Sequence, residues 1–114
     1  MSFNWKEYIN LAEEFVKFSN DEARLRTALS RAYYGAFCLA RNKKGFKSYK
    51  KSNVHQKVIM SFKSSYDNDE QLIGKYLDDL RKGRNDADYD EDKRIDQKLV
   101  KRAVAKAKKI LEKL

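Results

Sequence analysis

Proline is absent from this chain of 114 residues, and only four glycines, one cysteine and one histidine are present. Without proline no helix is forced to break, and with a single thiol, Cys38, no disulfide can close within the chain. One Cys and one His cannot supply the four ligands of an ordinary zinc site, so neither a metal nor another cofactor is expected. Long apolar runs are missing as well. The longest uncharged one, Ala32 to Ala40, is too short to cross a bilayer, and no leader-like segment is visible. The expectation is a soluble, cytoplasmic protein without a membrane partner. Charge and aromatic surface are plentiful instead. Lys and Arg number 26 against 17 Asp and Glu, a formal charge of +9, and six Phe, seven Tyr and one Trp contribute to a hydrophobic fraction of 41%. That composition is too apolar for a disordered basic tail and suits one core, so residues 1–114 are expected to form a single domain.

The positive charge is unevenly distributed. Arg41 to Lys63 holds eight basic residues and no acid, with Arg41, Lys43, Lys44, Lys50 and Lys51 crowded at its start. Lys93 to Leu114 carries nine basic residues against Asp96 and Glu112. Between the two, Asp67 to Asp92 has ten acids and only Lys75, Arg81, Lys82 and Arg84. Basic blocks attract polyanions through counterion release and steering, which makes RNA or a nucleotide the leading partner class. A lysine-rich solubilising surface on a helical interaction or scaffold protein is the alternative, and the basic, acidic, basic order also permits self-association.

Apolar periodicity is helical throughout, and no stretch alternates as a strand would. The sequence therefore reads as all-α, an antiparallel bundle of about five helices. The first is expected from about Asn4 to Phe18, with Asn4 as cap and Trp5, Tyr8, Ile9, Ala12, Phe15 and Val16 on one face. The second runs from about Asp21 to Asn42. Its stripe of Leu25, Ala28, Leu29, Ala32, Gly35, Ala36, Leu39 and Ala40 is thin, as expected of a central helix that neighbours approach closely. Gly35 costs up to ~1 kcal/mol relative to Ala in a helix interior, which implies a packing reason for it. Gly45 ends that helix, and a basic loop interleaved with Phe46 and Tyr49 leads to a third helix from about Asn53 to Ser64. A fourth follows the Asp67-Asn68-Asp69 turn as far as Tyr89, a charged connection spans Asp90 to Ile95, and Asp96 caps a fifth.

The fourth helix contains an anomaly. Its apolar seam of Ile73, Leu77 and Leu80 continues into Arg84, which is seven residues beyond Leu77 and four beyond Leu80, so a guanidinium falls on the core-facing stripe. A charge there needs a partner and hydrogen bonds, or it lines a cleft. Two readings follow. Asp88, four residues on, can brace Arg84; or Arg84 and Asn85 can hold a phosphate.

Three segments in this order resemble the HEPN superfamily of small α-helical domains. SRAYYGAFCLARNKKG (Ser30 to Gly45) is similar to its central helix, NVHQKV (Asn53 to Val58) to the short helix after it, and RNDADY (Arg84 to Tyr89) to its Arg-centred motif. The resemblance implies a five-helix domain that forms a homodimer with two Arg-centred motifs at a shared cleft. It also implies either a metal-independent endoribonuclease or a noncatalytic RNA- or nucleotide-binding module, in a toxin–antitoxin or defence setting with a nucleotidyltransferase-type partner protein. On that resemblance Arg84, Asn85, Asp88 and Tyr89 are the candidate catalytic residues. The nuclease branches place a His four to six positions beyond the Arg, where this chain has Asp88, Tyr89 and Asp90. The departure favours the binding module, because cleavage through an RNA 2′-hydroxyl needs a group that exchanges protons near neutral pH. Tyr89 also resembles the tyrosine modified by some partner nucleotidyltransferases, at a different spacing.

The lone histidine, His55, opens the third helix and would have to approach the cleft from there. It is a candidate RNA contact or proton-transfer group, or else a capping and packing residue. Arg31, Tyr33 and Tyr34 can serve bases by stacking and hydrogen bonding, or pack with the Tyr hydroxyls satisfying Arg84 or Asp88. The nucleic-acid-binding candidates are thus Arg31, Tyr34, Arg41, Lys43, Lys44, Lys50, Lys51 and His55. Cys38, in an apolar run, is expected to be buried and inert. Asp78 and Asp79 diverge around their helix, so they read as a solvated face and not as metal ligands.

Overall fold

A computed structural model of the chain describes residues 2–114. Five helices account for the ordered secondary structure: α1 (Lys6–Phe18), α2 (Glu22–Lys43), α3 (Val54–Lys63), α4 (Asn68–Tyr89) and α5 (Gln97–Lys113). Local chemistry sets their ends. The Asn4 side chain accepts the Lys6 N–H, Asp67 accepts from the Asp69 and Glu70 N–H groups, and Asp96 accepts from Leu99, each quieting donors that a first helical turn leaves free. Gly45, at φ +80°, is in the left-handed region, and the Phe46 N–H closes back on the Arg41 carbonyl to end α2.

α2 is the central helix, packed against each of the other four. Its alanine-rich seam permits this: Ala28, Ala32, Ala36 and Ala40 are fully buried. Gly35 has the expected packing role, since a Cβ there would stand 2.7 Å from Ile9 Cγ1 and 3.0 Å from the Trp5 carbonyl oxygen. α1 therefore crosses α2 at backbone distance. Cross-helix bonds fix the directions. Arg26 and Ser30 face the end of α4 while Lys44 reaches Glu70 at its start, so α2 and α4 are antiparallel. Lys106 meets Asp79 and Lys113 meets Asp69, which sets α5 antiparallel to α4.

The core gathers Ile9, Leu25, Leu29, Tyr33, Val58, Phe62, Leu77 and Ile110 around α2. Ile95 belongs to it at 1% exposure, although it stands in the segment expected to be a charged connection. An isolated apolar residue between charges has no periodicity to mark it. Cys38 is buried, as expected, and burial pushes its thiol up. No helix among the described residues is long and apolar enough to cross a membrane.

Candidate functional site

Arg84 is 9% exposed on the core side of α4, inside a cage of aromatic rings. Its guanidinium carbon lies 5.1 Å from the Tyr34 ring centroid, 5.7 Å from Tyr33 and 5.8 Å from Tyr89. Aromatic faces compensate a desolvated cation in part. The hydrogen bonds that a buried guanidinium needs are incomplete. Arg84 Nε has no partner, and the nearest carboxylate, Asp88 Oδ2, is 3.8 Å from Nη1, beyond hydrogen-bond length. Asp88 instead accepts from Ser30 Oγ at 3.2 Å, and Ser30 Oγ lies 3.4 Å from Arg31 Nη2. The Arg84–Asp88 brace is thus a loose one. An unmet buried donor costs roughly 1–3 kcal/mol.

His55 reaches this region from the first turn of α3. Its ring stacks on Phe37 at 4.2 Å, and Nδ1 is 2.5 Å from the Tyr33 hydroxyl. Burial, then the charges of Arg81, Arg84 and Arg41, push His55 down to about 4, while burial raises the Tyr33 phenol. Both groups are therefore neutral near pH 7. The phenol and Nδ1 share one hydrogen bond, whose direction is set by the imidazole tautomer. The Tyr33 hydroxyl consequently serves His55, and not Arg84 or Asp88; only its ring face is turned to Arg84.

The sequence candidates divide. Arg31, Tyr34, Arg41 and His55 collect with Arg84 on one side of α2. Lys43, Lys50 and Lys51 are exposed at the end of α2 and in the loop beyond, and Lys44 is committed to Glu70 at 3.0 Å. No hydrogen bond or ion pair among the described residues joins these four lysines to the Arg84 cage. Asn85 and Tyr89 are exposed on the last turns of α4, with Tyr89 78% accessible.

Arg26 is a residue that sequence reasoning missed. Its Nη1 donates to the carbonyls of Asp86, Ala87 and Asp90 at 3.0–3.2 Å, and its Nη2 to that of Lys93. The Asp86 and Asp90 carbonyls also accept the backbone N–H groups of Asp90 and Lys93, so Arg26 adds to the bonding of the last turn of α4 and the loop after it and clamps the turn that presents Asn85, Asp88 and Tyr89. Its only sequence signal was an arginine beside the seam of α2. Arg81, one turn before Arg84, was missed too, as were Tyr8 on α1 and Trp5 just before it, read only as a packing face. No three of His, Cys, Asp and Glu come together as a metal site among the described residues. Comparison of the chain with protein-family models, curated proteins and solved structures finds no match.

Proposed function

We propose that this protein is an RNA- or nucleotide-binding helical module whose anchor is Arg84. The loosely braced Arg84 guanidinium carries the reading: a largely buried cation whose nearest carboxylate oxygen is 3.8 Å away is matched by a phosphate oxygen, which forms short charge-assisted hydrogen bonds with guanidinium N–H groups. Arg31, Arg41 and Arg81 support it, because none has a carboxylate within 4 Å among the described residues. The resemblance to HEPN domains adds a homodimer with two such sites and a nucleotidyltransferase-type partner. Titration of uridine monophosphate into the protein tests the reading, with the expectation that binding weakens with salt and is lost in Arg84→Met.

A second reading, a metal-independent endoribonuclease, is favoured by one observation. The Tyr33–His55 pair brings an imidazole to the arginine cluster from another helix, where the motif itself has none. In that reaction Arg84 and Asn85 hold the scissile phosphate, His55 with its Nδ1–H donating to the Tyr33 hydroxyl takes the 2′-hydroxyl proton at Nε2, the 2′-oxygen bonds to phosphorus, the P–O5′ bond breaks and water protonates the leaving 5′-oxygen. RNA incubated with the protein and a chelator is cut in this case, and both Arg84→Ala and His55→Asn abolish cutting. Binding without cleavage leaves the module.

A further inference from the structure

A row of rings and guanidinium groups leads away from Arg84 and is more than a single phosphate site requires. Tyr34 is flanked by two arginines, with the Arg84 guanidinium carbon 5.1 Å and that of Arg31 5.3 Å from its centroid. Arg31 is in turn 4.9 Å from the Tyr8 ring, Tyr8 meets Trp5 edge-on at 5.4 Å, and Arg41 stands 5.9 Å from Trp5. The order across the surface is Arg84, Tyr34, Arg31, Tyr8, Trp5, Arg41, drawn from α4, α2 and the start of α1. Apart from Arg84 these residues are neither buried nor fully exposed, so each is accessible in part. Arg31 and Arg41 lack a carboxylate partner among the described residues, whereas Lys106, Lys108 and Lys113 of α5 have theirs.

We infer that this row is a track for single-stranded nucleic acid, with unpaired bases against Tyr34, Tyr8 and Trp5 and successive phosphates at Arg31 and Arg41. The inference rests on Arg84 as a phosphate site and gives that site its substrate class. Alternating aromatic faces and cations match a single strand, whose bases are free to stack, and six groups 4.9–5.9 Å apart suit the short end of such sites, ~4 nucleotides. A duplex keeps its bases stacked on each other and offers those rings nothing. Charge sets the direction. On the far side of Tyr89 the surface is lined by Glu22, Asp88, Asp90 and Glu91 around Arg26, which repels a polyanion, so the strand runs toward α1.

Trp5 is the only tryptophan and reports on the track directly. A short oligouridine, its deoxythymidine counterpart and a blunt RNA duplex are titrated into the full chain, reading Trp5 emission and, with labelled strands, anisotropy. Either single strand is expected to quench Trp5 and to bind roughly tenfold more tightly than the duplex, whose bases are not free to stack on the rings. Tyr8→Leu and Tyr34→Leu should weaken the single strand roughly fivefold, Tyr8→Phe should not, and uridine monophosphate should bind the two Tyr8 variants as it binds the wild type. Equal affinity for strand and duplex with unchanged Trp5 emission overturns the track while leaving the phosphate site standing. Failure of uridine monophosphate to bind the wild type overturns the phosphate reading itself. A concentration-dependent dimer in which Trp5 is shielded and insensitive to every strand overturns the track in favour of a second copy of this chain on that face. Because quenching is read on the wild type, a misfolded variant does not spare the inference.

Discussion

Lys106, Lys108 and Lys113 on α5 each reach a carboxylate, on Asp79, Glu13 and Asp69, whereas Arg31, Arg41 and Arg81 around Tyr33 and His55 reach none among the described residues. Both regions contribute to a formal charge of +9, yet these side chains differ in what their charge is free to do. Lys106, Lys108 and Lys113 are matched across α1 and α4 and tie the bundle together, while Lys98, Lys101 and Arg102 of the same helix have no carboxylate within 4 Å among the described residues. Arg31, Arg41 and Arg84 are held by aromatic faces, which support a cation without neutralising it. The density of basic residues along a chain therefore does not locate an anion site; the distribution of acids in space decides it.

The largest effect should come from Arg84. Arg84→Met keeps the volume and removes the orphaned charge, so binding of uridine monophosphate should fall about 10- to 100-fold, as for loss of a charge-assisted bond, with thermal stability unchanged or raised. A variant that binds as the wild type does would place the anion site elsewhere, and α5 would then be the region to examine.

Arg26→Leu comes next. It removes the side-chain donor shared by the Asp86, Ala87, Asp90 and Lys93 carbonyls, two of which keep a backbone donor, and should destabilise the fold by about 1–3 kcal/mol in urea unfolding, with faster amide exchange in the last turn of α4. Affinity for nucleotide should drop less than in Arg84→Met, because the clamp acts on Asn85 and Tyr89 and does not touch the ligand.

His55 gives a smaller, pH-dependent effect. Its folded pKa lies near 4, below the ordinary value of 6.5, so the folded state resists protonation. Its contribution to stability is complete above pH 6.5 and is lost as pH falls toward 4, by about 2 kcal/mol once solvent screening of a half-buried ring is allowed for. Unfolding of the wild type and His55→Asn across that window isolates the term, since the carboxylates titrate in both. If the two curves run parallel, neither burial nor the arginines hold the folded imidazole neutral, and the contrast with α5 loses this support. Bound nucleotide should flatten the difference by supplying the missing negative charge.

The smallest change is expected on α5. Lys106→Gln removes a pair that is more than a third exposed on each side, and should alter stability by under ~1 kcal/mol and nucleotide affinity by less than twofold. A larger loss of binding would show that the paired lysines remain available to polyanions.

Much of this was legible in the order of residues. Helical periodicity and Asp67, Asp96 and Gly45 mark the elements to within a residue or two, and the alanine-rich stripe with Gly35 marks α2 as central. Arg84 stood out because a guanidinium on an apolar seam breaks its own pattern. Ile95 and Arg26 did not, for opposite reasons: one is apolar without a period, the other polar where polar residues are ordinary. The partner of His55 could not be read either, since Tyr33 is 22 residues away on another helix. Nor could the acids be assigned to lysines: Lys108 meets Glu13 across 95 residues.

By itself the sequence determined that the chain is all-helical, which faces are apolar, and that Arg84 lies on one of them, because each follows from the 3.6-residue period and from caps that act within a turn. The tertiary structure decided which charges are cancelled, that Asp88 stands too far from Arg84 to brace it tightly, that His55 is held neutral against Tyr33, and that rings from α1 and α2 continue a row begun on α4. Those are properties of distance between helices, and Coulomb energy and desolvation depend on that distance, which local periodicity leaves open.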